Sequence, residues 1–205
     1  MMSERHPIYV VDDEEPIRES LVVLLEAHAF PVRCFASAEE FLAAVHSLEL
    51  GCVLSDLRMP GIGGIELVER LRSDGSRFPV IVMTGYGEVP LAMRALRSGA
   101  IDFIEKPFAG NVLIDAVLDA LRSMNDASSA DAEAARATER LKLLAAEERE
   151  VMAALVAGKQ NKEIAESLGI SPDSVEVHRA HLMEKMNARG FSALVRMAIA
   201  AGFNV

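Results

Sequence analysis

Two kinds of segment alternate along residues 1–123. Short runs rich in β-branched residues are separated by stretches whose apolar residues recur every three or four positions, as Leu21, Leu24 and Leu25 do. Strands that alternate with helices form a parallel sheet covered by helices on both faces. We therefore predict an α/β domain with a doubly wound, five-stranded parallel sheet. Its strands are expected at 8–11, 32–35, 52–55, 80–84 and 101–104.

Residues 141–205 contain no such β-rich run and are expected to be all-α. Helical stretches are predicted at 146–157, 161–168, 172–187 and 192–201. Ser171 and Pro172 form a strong start signal, because serine caps helix N-termini and proline suits the first helical position. A short helix, a turn at Gly169 and a longer capped helix together predict a helix-turn-helix.

Residues 124–140 separate these two regions. They are small, polar and free of aromatic residues, a composition that cannot build a core of its own. Their alanine, glutamate and arginine content still permits a helix. We therefore expect domains at 1–123 and 141–205, joined by a linker at 124–140.

The charge is distributed unevenly along the chain. The net charge is −10, of which residues 1–123 carry −8, 124–140 carry −2 and 141–205 carry 0. This balance argues against a general polyanion binder, since phosphate neutralisation supplies most non-specific DNA affinity. No apolar run approaches the roughly 20 residues of a membrane span, and Cys34 and Cys52 lack metal or redox spacing. We expect a cytoplasmic protein without a membrane partner.

Polar residues follow several of the predicted strands, in a region where ligands bind in open parallel sheets. Crowded carboxylates repel one another, so we expect a cation among them, most plausibly Mg²⁺. A hydroxyl and an ammonium group suit phosphoryl oxygens, and an aspartate can itself accept a phosphoryl group. Taken singly, Asp12, Thr84 or Lys106 could equally be a turn former or a helix cap, but the joint pattern at the strand ends argues against that interpretation. The polar residues that follow these strands are Asp12, Asp13, Asp56, Thr84 and Lys106.

Residues 1–123 resemble the receiver domain of two-component response regulators, through the runs 10–14, 55–61, 83–85 and 103–108. The resemblance implies that Asp56 accepts phosphate from a sensor histidine kinase, with Thr84 and Lys106 binding the phosphoryl group and Phe103 acting as a switch residue. It also implies that the Lys106–Pro107 peptide bond is cis. The implied Mg²⁺ ligands are Asp12 through water, Asp13, Asp56 and the backbone carbonyl of Arg58.

Residues 141–205 resemble the DNA-binding domain of the NarL/FixJ (LuxR-type) regulators, through the runs 158–165 and 170–179. The two halves together are most similar to the FixJ branch of that family. The resemblance implies a homodimer that forms on phosphorylation and binds double-stranded promoter DNA. Arg94, Arg97 and Ile101 are our candidates for the dimer surface.

The helix at 172–187 is expected to enter the major groove of DNA. On its outward face Glu176 suits a cytosine amino group, and Val177 and Ala180 suit thymine methyl groups. On its inward face we expect His178 to be packed and hydrogen-bonded. Without the resemblance, a plain solvated helix would explain the outward face as well. Phosphate contacts are expected from Asn161, Lys162, Ser171, Ser174 and Arg179.

Three departures from the family pattern leave other functions open. Ala145 lacks the usual N-cap side chain, Glu147 replaces a basic residue, and Asp173 adds an acid near the groove-facing helix. One alternative is a receiver that controls a protein-interaction module with a degenerate DNA-binding domain. A phosphotransferase or phosphatase is less well supported, because the run at 56–58 lacks a second aspartate. We expect no enzyme beyond a receiver that assists its own phosphorylation and dephosphorylation.

Overall fold

The computed structural model describes residues 6–85, 89–125, 130–188 and 190–203. The chain forms two compact units. The first comprises Met1–Glu88 and Ser98–Asp126, and the second comprises Val89–Arg97 and Ala127–Val205.

The first unit contains a five-stranded sheet whose strand order is β2-β1-β3-β4-β5, with every neighbouring pair parallel. The predicted doubly wound α/β domain is therefore confirmed. The strands lie within one residue of their predicted bounds. They are β1 (Ile8–Val11), β2 (Val32–Phe35), β3 (Cys52–Asp56), β4 (Val80–Thr84) and β5 (Asp102–Glu105).

Helices connect successive strands, and a short 3₁₀ turn at Val45–Ser47 precedes β3. The residues of β1 and β4 are buried throughout, as expected for strands covered on both faces. The connecting helices are α1 (Glu15–Ala27), α2 (Ala38–Ala44), α3 (Gly64–Ser73) and α4 (Val89–Ser98), and α5 (Gly110–Asn125) follows β5. Nearly all of α4 belongs to the second compact unit by its contacts.

The second unit is helical, which confirms the all-α prediction for the C-terminal region. Its core is formed by buried apolar side chains that include Met152, Ile164, Val175 and Leu182. Its remaining helices are α6 (Ala130–Lys142), α7 (Ala146–Val156), α8 (Asn161–Leu168), α9 (Pro172–Met186) and α10 (Phe191–Ala200).

The turn between α8 and α9 follows the chemistry of its residues. Gly169 ends α8 with φ +67°, a left-handed conformation that glycine adopts without a Cβ penalty. Ser171 then caps α9, because its hydroxyl accepts a hydrogen bond from the Ser174 amide at 3.1 Å. The helix-turn-helix predicted from these signals is present.

A helix occupies most of the segment predicted as a linker. Within α6, Ala137 and Leu141 are buried in the core of the second unit. Over the part of the chain that the structure describes, no helix is long and apolar enough to cross a membrane.

Candidate functional site

Asp12 and Asp56 are brought together by strand register. Val11 at the end of β1 pairs with Ser55 in β3, so the next residue of each strand lies at the same edge of the sheet. The Lys106 ammonium bridges them, with Nζ 2.9 Å from Asp12 Oδ2 and 2.5 Å from Asp56 Oδ1. Three of the residues predicted from strand ends thus form one charged cluster.

Asp12 is fully buried and held from two further sides. Its Oδ1 accepts a hydrogen bond from the Glu14 amide at 2.9 Å. Its backbone carbonyl accepts one from Arg18 Nη1 at 2.8 Å. Arg18 was missed by the sequence analysis, since an arginine in a predicted amphipathic helix carries no signal of such a contact.

The charges in this cluster perturb one another. Burial raises the pKa of the Asp56 carboxyl above its ordinary value, and the Lys106 ammonium and the Arg58 amide offset this only in part. Burial lowers the pKa of Lys106, but hydrogen bonds to Asp56 and Asp12 outweigh it, and the net pKa is raised. Lys106 is therefore charged at neutral pH beside a carboxylate in a partly desolvated site.

The chemistry of the donors fits a hard divalent cation. Asp12 and Asp56 already share one cationic partner, and the Arg58 amide donates to Asp56 Oδ2 at 2.7 Å. Asp13, which follows Asp12 in the chain, is exposed. Carboxylate and carbonyl oxygens are the ligands that Mg²⁺ prefers. Among the described residues, no three histidine, cysteine or acidic side chains are grouped as a preformed metal site.

Thr84 and Phe103 lie on the two strands at the β5 edge of the sheet. Thr84 is buried, its hydroxyl lies 3.3 Å from the Gly85 carbonyl oxygen, to which it donates, and its own carbonyl accepts from the Lys106 amide at 2.7 Å. Phe103 is half-buried. The Lys106–Pro107 bond is cis, as the family resemblance implied.

In the second unit, the outward face of α9 is exposed. Glu176, Val177 and Ala180 are all open to solvent, as is Asp173 in the first turn of the helix. The side chains predicted to touch bases are thus accessible together on one surface.

Arg179 is engaged in contacts within the helix-turn-helix. Its Nη1 donates to Asn161 Oδ1 at 2.7 Å, and its guanidinium lies 4.9 Å from the centre of the Phe191 ring. Burial lowers the pKa of Arg179, and the nearby Glu176 partly offsets this. The contact links the first residue of α8 to α9, and sequence spacing carried no signal of it.

The other predicted phosphate-binding residues surround the same turn. Lys162 is exposed, and the hydroxyls of Ser171 and Ser174 lie 2.9 Å apart. His178 is half-buried, as expected for a packed residue. Its buried Nδ1 has no hydrogen-bond partner among the described residues, so the hydrogen bond expected for this ring is absent at that atom.

The start of α7 compensates in part for its missing cap. Ala145 makes no side-chain cap, as its sequence predicts, but the Glu148 carboxylate accepts from the Ala145 amide at 2.8 Å. Glu148 is buried and also accepts from Lys185 Nζ at 2.7 and 2.8 Å. Glu147 is exposed. The pair between Glu148 and Lys185 joins residues 37 positions apart and has no local signal in the sequence.

The three residues predicted for a dimer surface differ in their surroundings. Arg94 and Arg97 are exposed on α4, and Arg97 Nη1 donates to the Val156 carbonyl at 2.7 Å. Ile101 is half-buried and packs against the core of the first unit.

Two protein-family models match the chain. Residues 8–118 match the response regulator receiver domain, and residues 142–198 match the bacterial regulatory proteins of the luxR family. The first match lies within the predicted region 1–123, and the second lies within the predicted region 141–205.

Several proteins that are similar to this chain along most of its length are named as transcriptional regulatory proteins. The transcriptional regulatory protein FixJ of Bradyrhizobium diazoefficiens is 45% identical over 201 residues, which cover 98% of each chain. The C4-dicarboxylate transport transcriptional regulatory protein DctR of Rhodobacter capsulatus is 41% identical over 193 residues, covering 93% of this chain and 98% of that protein. The crystal structure of full-length FixJ from B. japonicum matches with a TM-score of 0.60 and 44% identity, covering 99% of this chain and 100% of that one.

Proposed function

Because this chain belongs to the response regulators that join a receiver domain to a LuxR-type DNA-binding domain, we propose that phosphorylation of Asp56 switches it into a dimer that binds promoter DNA. The family is one of transcriptional regulators rather than classical enzymes, and its two domains imply a kinase partner and DNA. The observation that carries the proposal is the ion pairing of Asp56 and buried Asp12 through one lysine.

Asp56 is the nucleophile in the proposed transfer from a sensor histidine kinase. The nitrogen–phosphorus bond of a phosphohistidine breaks, its electron pair stays on the histidine, and a bond forms between phosphorus and an Asp56 carboxylate oxygen. Lys106 is within reach of that oxygen and compensates the added negative charge. Thr84 would supply its hydroxyl to the phosphoryl group after giving up the bond to Gly85.

A divalent cation suits the same cluster. Asp13, Asp56 and the carbonyl of Arg58 would hold Mg²⁺, with Asp12 acting through water. When bound, the ion neutralises charge on the carboxylates and phosphoryl oxygens. Hydrolysis ends the phosphorylated state, and we propose that the receiver assists it: the oxygen of a water molecule bonds to phosphorus, and the bond between phosphorus and Asp56 breaks with its electron pair staying on the carboxylate. One water proton stays on the attacking oxygen and the other passes to a second phosphate oxygen.

We propose that α9 reads DNA in the major groove through its exposed face. Glu176 would accept from a cytosine amino group, while Val177 and Ala180 would contact thymine methyl groups. The proposed phosphate contacts are those of Asn161, Lys162, Ser171, Ser174 and Arg179. Arg179 retains donors for this, because a guanidinium has five N–H groups and Asn161 takes one.

Dimerisation would compensate for the weak electrostatic attraction of one C-terminal domain. Residues 141–205 carry no net charge, so a single domain gains little from phosphate neutralisation. Two linked domains bind with a high effective concentration at a two-fold site. Arg94, Arg97 and Ile101 are the proposed dimer residues. We further propose that the protein acts in the cytoplasm, where it would meet its DNA and kinase partners.

One experiment tests the central part of the proposal, which is DNA binding that depends on phosphorylation of Asp56. The wild-type protein with Mg²⁺ and a phosphoryl mimic, and the Asp56→Asn variant under the same conditions, are incubated with fragmented DNA from the source genome, and the retained fragments are sequenced. We expect enrichment of a few palindromic sites in the wild-type sample and no such enrichment in the Asp56→Asn sample. Equal and non-specific recovery from both samples would overturn the proposal.

That second outcome would favour an interaction module whose partner is a protein. The structure offers one observation in its favour: Glu147 and Asp173 are exposed acids in the first turns of α7 and α9. Each would repel a DNA phosphate brought close to it. Dimerisation without DNA retention would identify this alternative.

A further inference from the structure

The loop at residues 57–63, between β3 and α3, carries the carbonyl that the proposed function assigns to Mg²⁺. The start of the loop is fixed to the sheet, because the Leu57 amide donates to the Met83 carbonyl at 2.8 Å. Its far end is fixed where the Gly64 amide donates to the Leu57 carbonyl at 3.1 Å. Arg58 lies between these points, and its amide donates to Asp56 Oδ2.

A carboxylate from a different element holds the C-terminal part of this loop. Glu39 lies in the first turn of α2, and its Oε1 accepts a hydrogen bond from the Ile62 amide at 3.0 Å. The same oxygen lies against Gly61, where a Cβ would overlap it. Gly61 also has φ +73°, so this position suits glycine for both space and backbone conformation.

We propose that Glu39 is a positioning residue for the phosphorylation site: it holds the 57–63 loop in the conformation in which the Arg58 carbonyl would serve the proposed Mg²⁺ site. The inference rests on the proposed function. In the described contacts, Glu39 touches no member of the charged cluster formed by Asp12, Asp56 and Lys106. Its effect therefore reaches the site through the loop backbone.

The charge state of Glu39 supports this role. Hydrogen bonds from its own amide and from the Ile62 amide hold the pKa of the Glu39 carboxyl below its ordinary value. The side chain is therefore ionised at neutral pH, and bonds to a charged acceptor are stronger than neutral ones.

Helix capping alone does not explain Glu39, because Ser37 caps α2 and the Glu39 carboxylate also accepts from the Ile62 amide outside the helix. Glu40 Oε2 accepts from the Ala36 amide at 2.8 Å, and the Glu40 amide donates to Ser37 Oγ at 3.2 Å. Both acids lie in the first turn of α2 and gain equally from its dipole. Glu40→Ala is therefore a control matched in charge and in helix position.

The test compares Glu39→Ala, Glu39→Gln and Glu40→Ala in the full chain. Isothermal titration measures the Mg²⁺ dissociation constant without any phosphoryl donor, and hydrogen exchange measures the Ile62 amide without Mg²⁺. We expect Glu39→Ala to weaken Mg²⁺ binding by about tenfold, in the range seen when groups supporting metal ligands are removed. It should also speed exchange at Ile62. Glu39→Gln retains an acceptor oxygen and should recover most of both losses, while Glu40→Ala should leave Mg²⁺ affinity unchanged.

Three results would overturn the inference: unchanged Mg²⁺ affinity in Glu39→Ala, unchanged exchange at Ile62, or an equal loss of affinity in Glu40→Ala. Asp56→Asn separates this failure from that of the proposed function. If the wild type binds Mg²⁺ in a manner that depends on Asp56 while Glu39→Ala binds it equally well, the positioning role alone is refuted. If the wild type binds no Mg²⁺, the positioning role of Glu39 and the Mg²⁺ site of the proposed function are both refuted.

Discussion

Replacing Lys185 with methionine should destabilise the helix-turn-helix by leaving the Glu148 carboxylate buried without its cation. The Glu148 side chain is 5% exposed and that of Lys185 is 39% exposed. Breaking a fully buried ion pair costs about 3–5 kcal/mol. Solvent reaches the Lys185 side of this pair and screens it, so we expect a loss of about 2 kcal/mol for Lys185→Met.

A double-mutant cycle separates the pair from its surroundings. Glu148→Gln with Lys185→Met buries no charge, and the glutamine oxygen still accepts from the Ala145 amide. We expect the double variant to recover roughly 1 kcal/mol relative to Lys185→Met alone.

The control for this cycle is Lys142→Met. Lys142 pairs with Glu139 on the exposed surface of α6, where the two side chains are 64% and 71% exposed. Exposed pairs contribute little, so the expected change is within about 0.5 kcal/mol.

Urea unfolding of the full chain provides the assay. Both tyrosines, at positions 9 and 86, precede residue 124, so tyrosine fluorescence follows the N-terminal region while far-ultraviolet circular dichroism follows all helices. Lys185→Met should shift the dichroism transition of the C-terminal helices and leave the fluorescence transition in place. A stability equal to that of Lys142→Met would refute the reasoning.

The same pair predicts a pH dependence. Hydrogen bonds from Lys185, reinforced by the Ala145 amide, hold the pKa of the Glu148 carboxyl below its ordinary value of 4.5. The stabilisation is therefore fully present above about pH 4.5 and is lost as the pH falls through the lower pKa of the folded state. The difference in stability between wild type and Lys185→Met should narrow on acidification. A difference that stays constant from pH 7 to pH 3 would contradict this.

Three further predictions concern single sites. An alanine Cβ at position 169 would meet no neighbouring atom, but the backbone there has φ +67°. Gly169→Ala should therefore lower the free energy of unfolding by about 1 kcal/mol through backbone strain, and Gly169→Asn should lower it less in the same urea assay. Lys106→Met should raise the pKa of the Asp56 carboxyl further, because the Lys106 ammonium is the main group that opposes the effect of burial on this pKa. The measurement is a ¹³C titration of Asp56 without Mg²⁺, and a lower or unchanged pKa would contradict the prediction. Half-buried Cys34 should react with a thiol reagent before fully buried Cys52, whose pKa burial raises strongly, and equal rates in the folded protein would contradict the burial pattern.

The comparisons limit what the family implies about targets. Similar regulators carry names as different as FixJ and the C4-dicarboxylate transport regulator DctR. Genes and signals are therefore not transferred with the fold. The DNA-retention experiment identifies the DNA sites directly.

Local patterns in the sequence determined the fold class and the main elements. Strand and helix periodicities depend on neighbouring residues, so β1 to β5 and α7 to α10 could be predicted within a residue or two. The receiver cluster was also predictable, because parallel strands place their C-terminal ends at one edge. Because Asp12, Asp56 and Lys106 each lie at the end of a predicted strand, their proximity could be predicted from the sequence.

Tertiary packing decided the features that join residues distant in sequence. The bond between Glu39 and Ile62, the Glu148–Lys185 pair and the contact of Arg179 with Asn161 each join separate elements through side-chain atoms. An exposed glutamate in a helix has the same local pattern whether it meets solvent or a loop amide. The distinction arises only when helices and loops are placed in three dimensions, and it is there that a carboxylate acquires a partner.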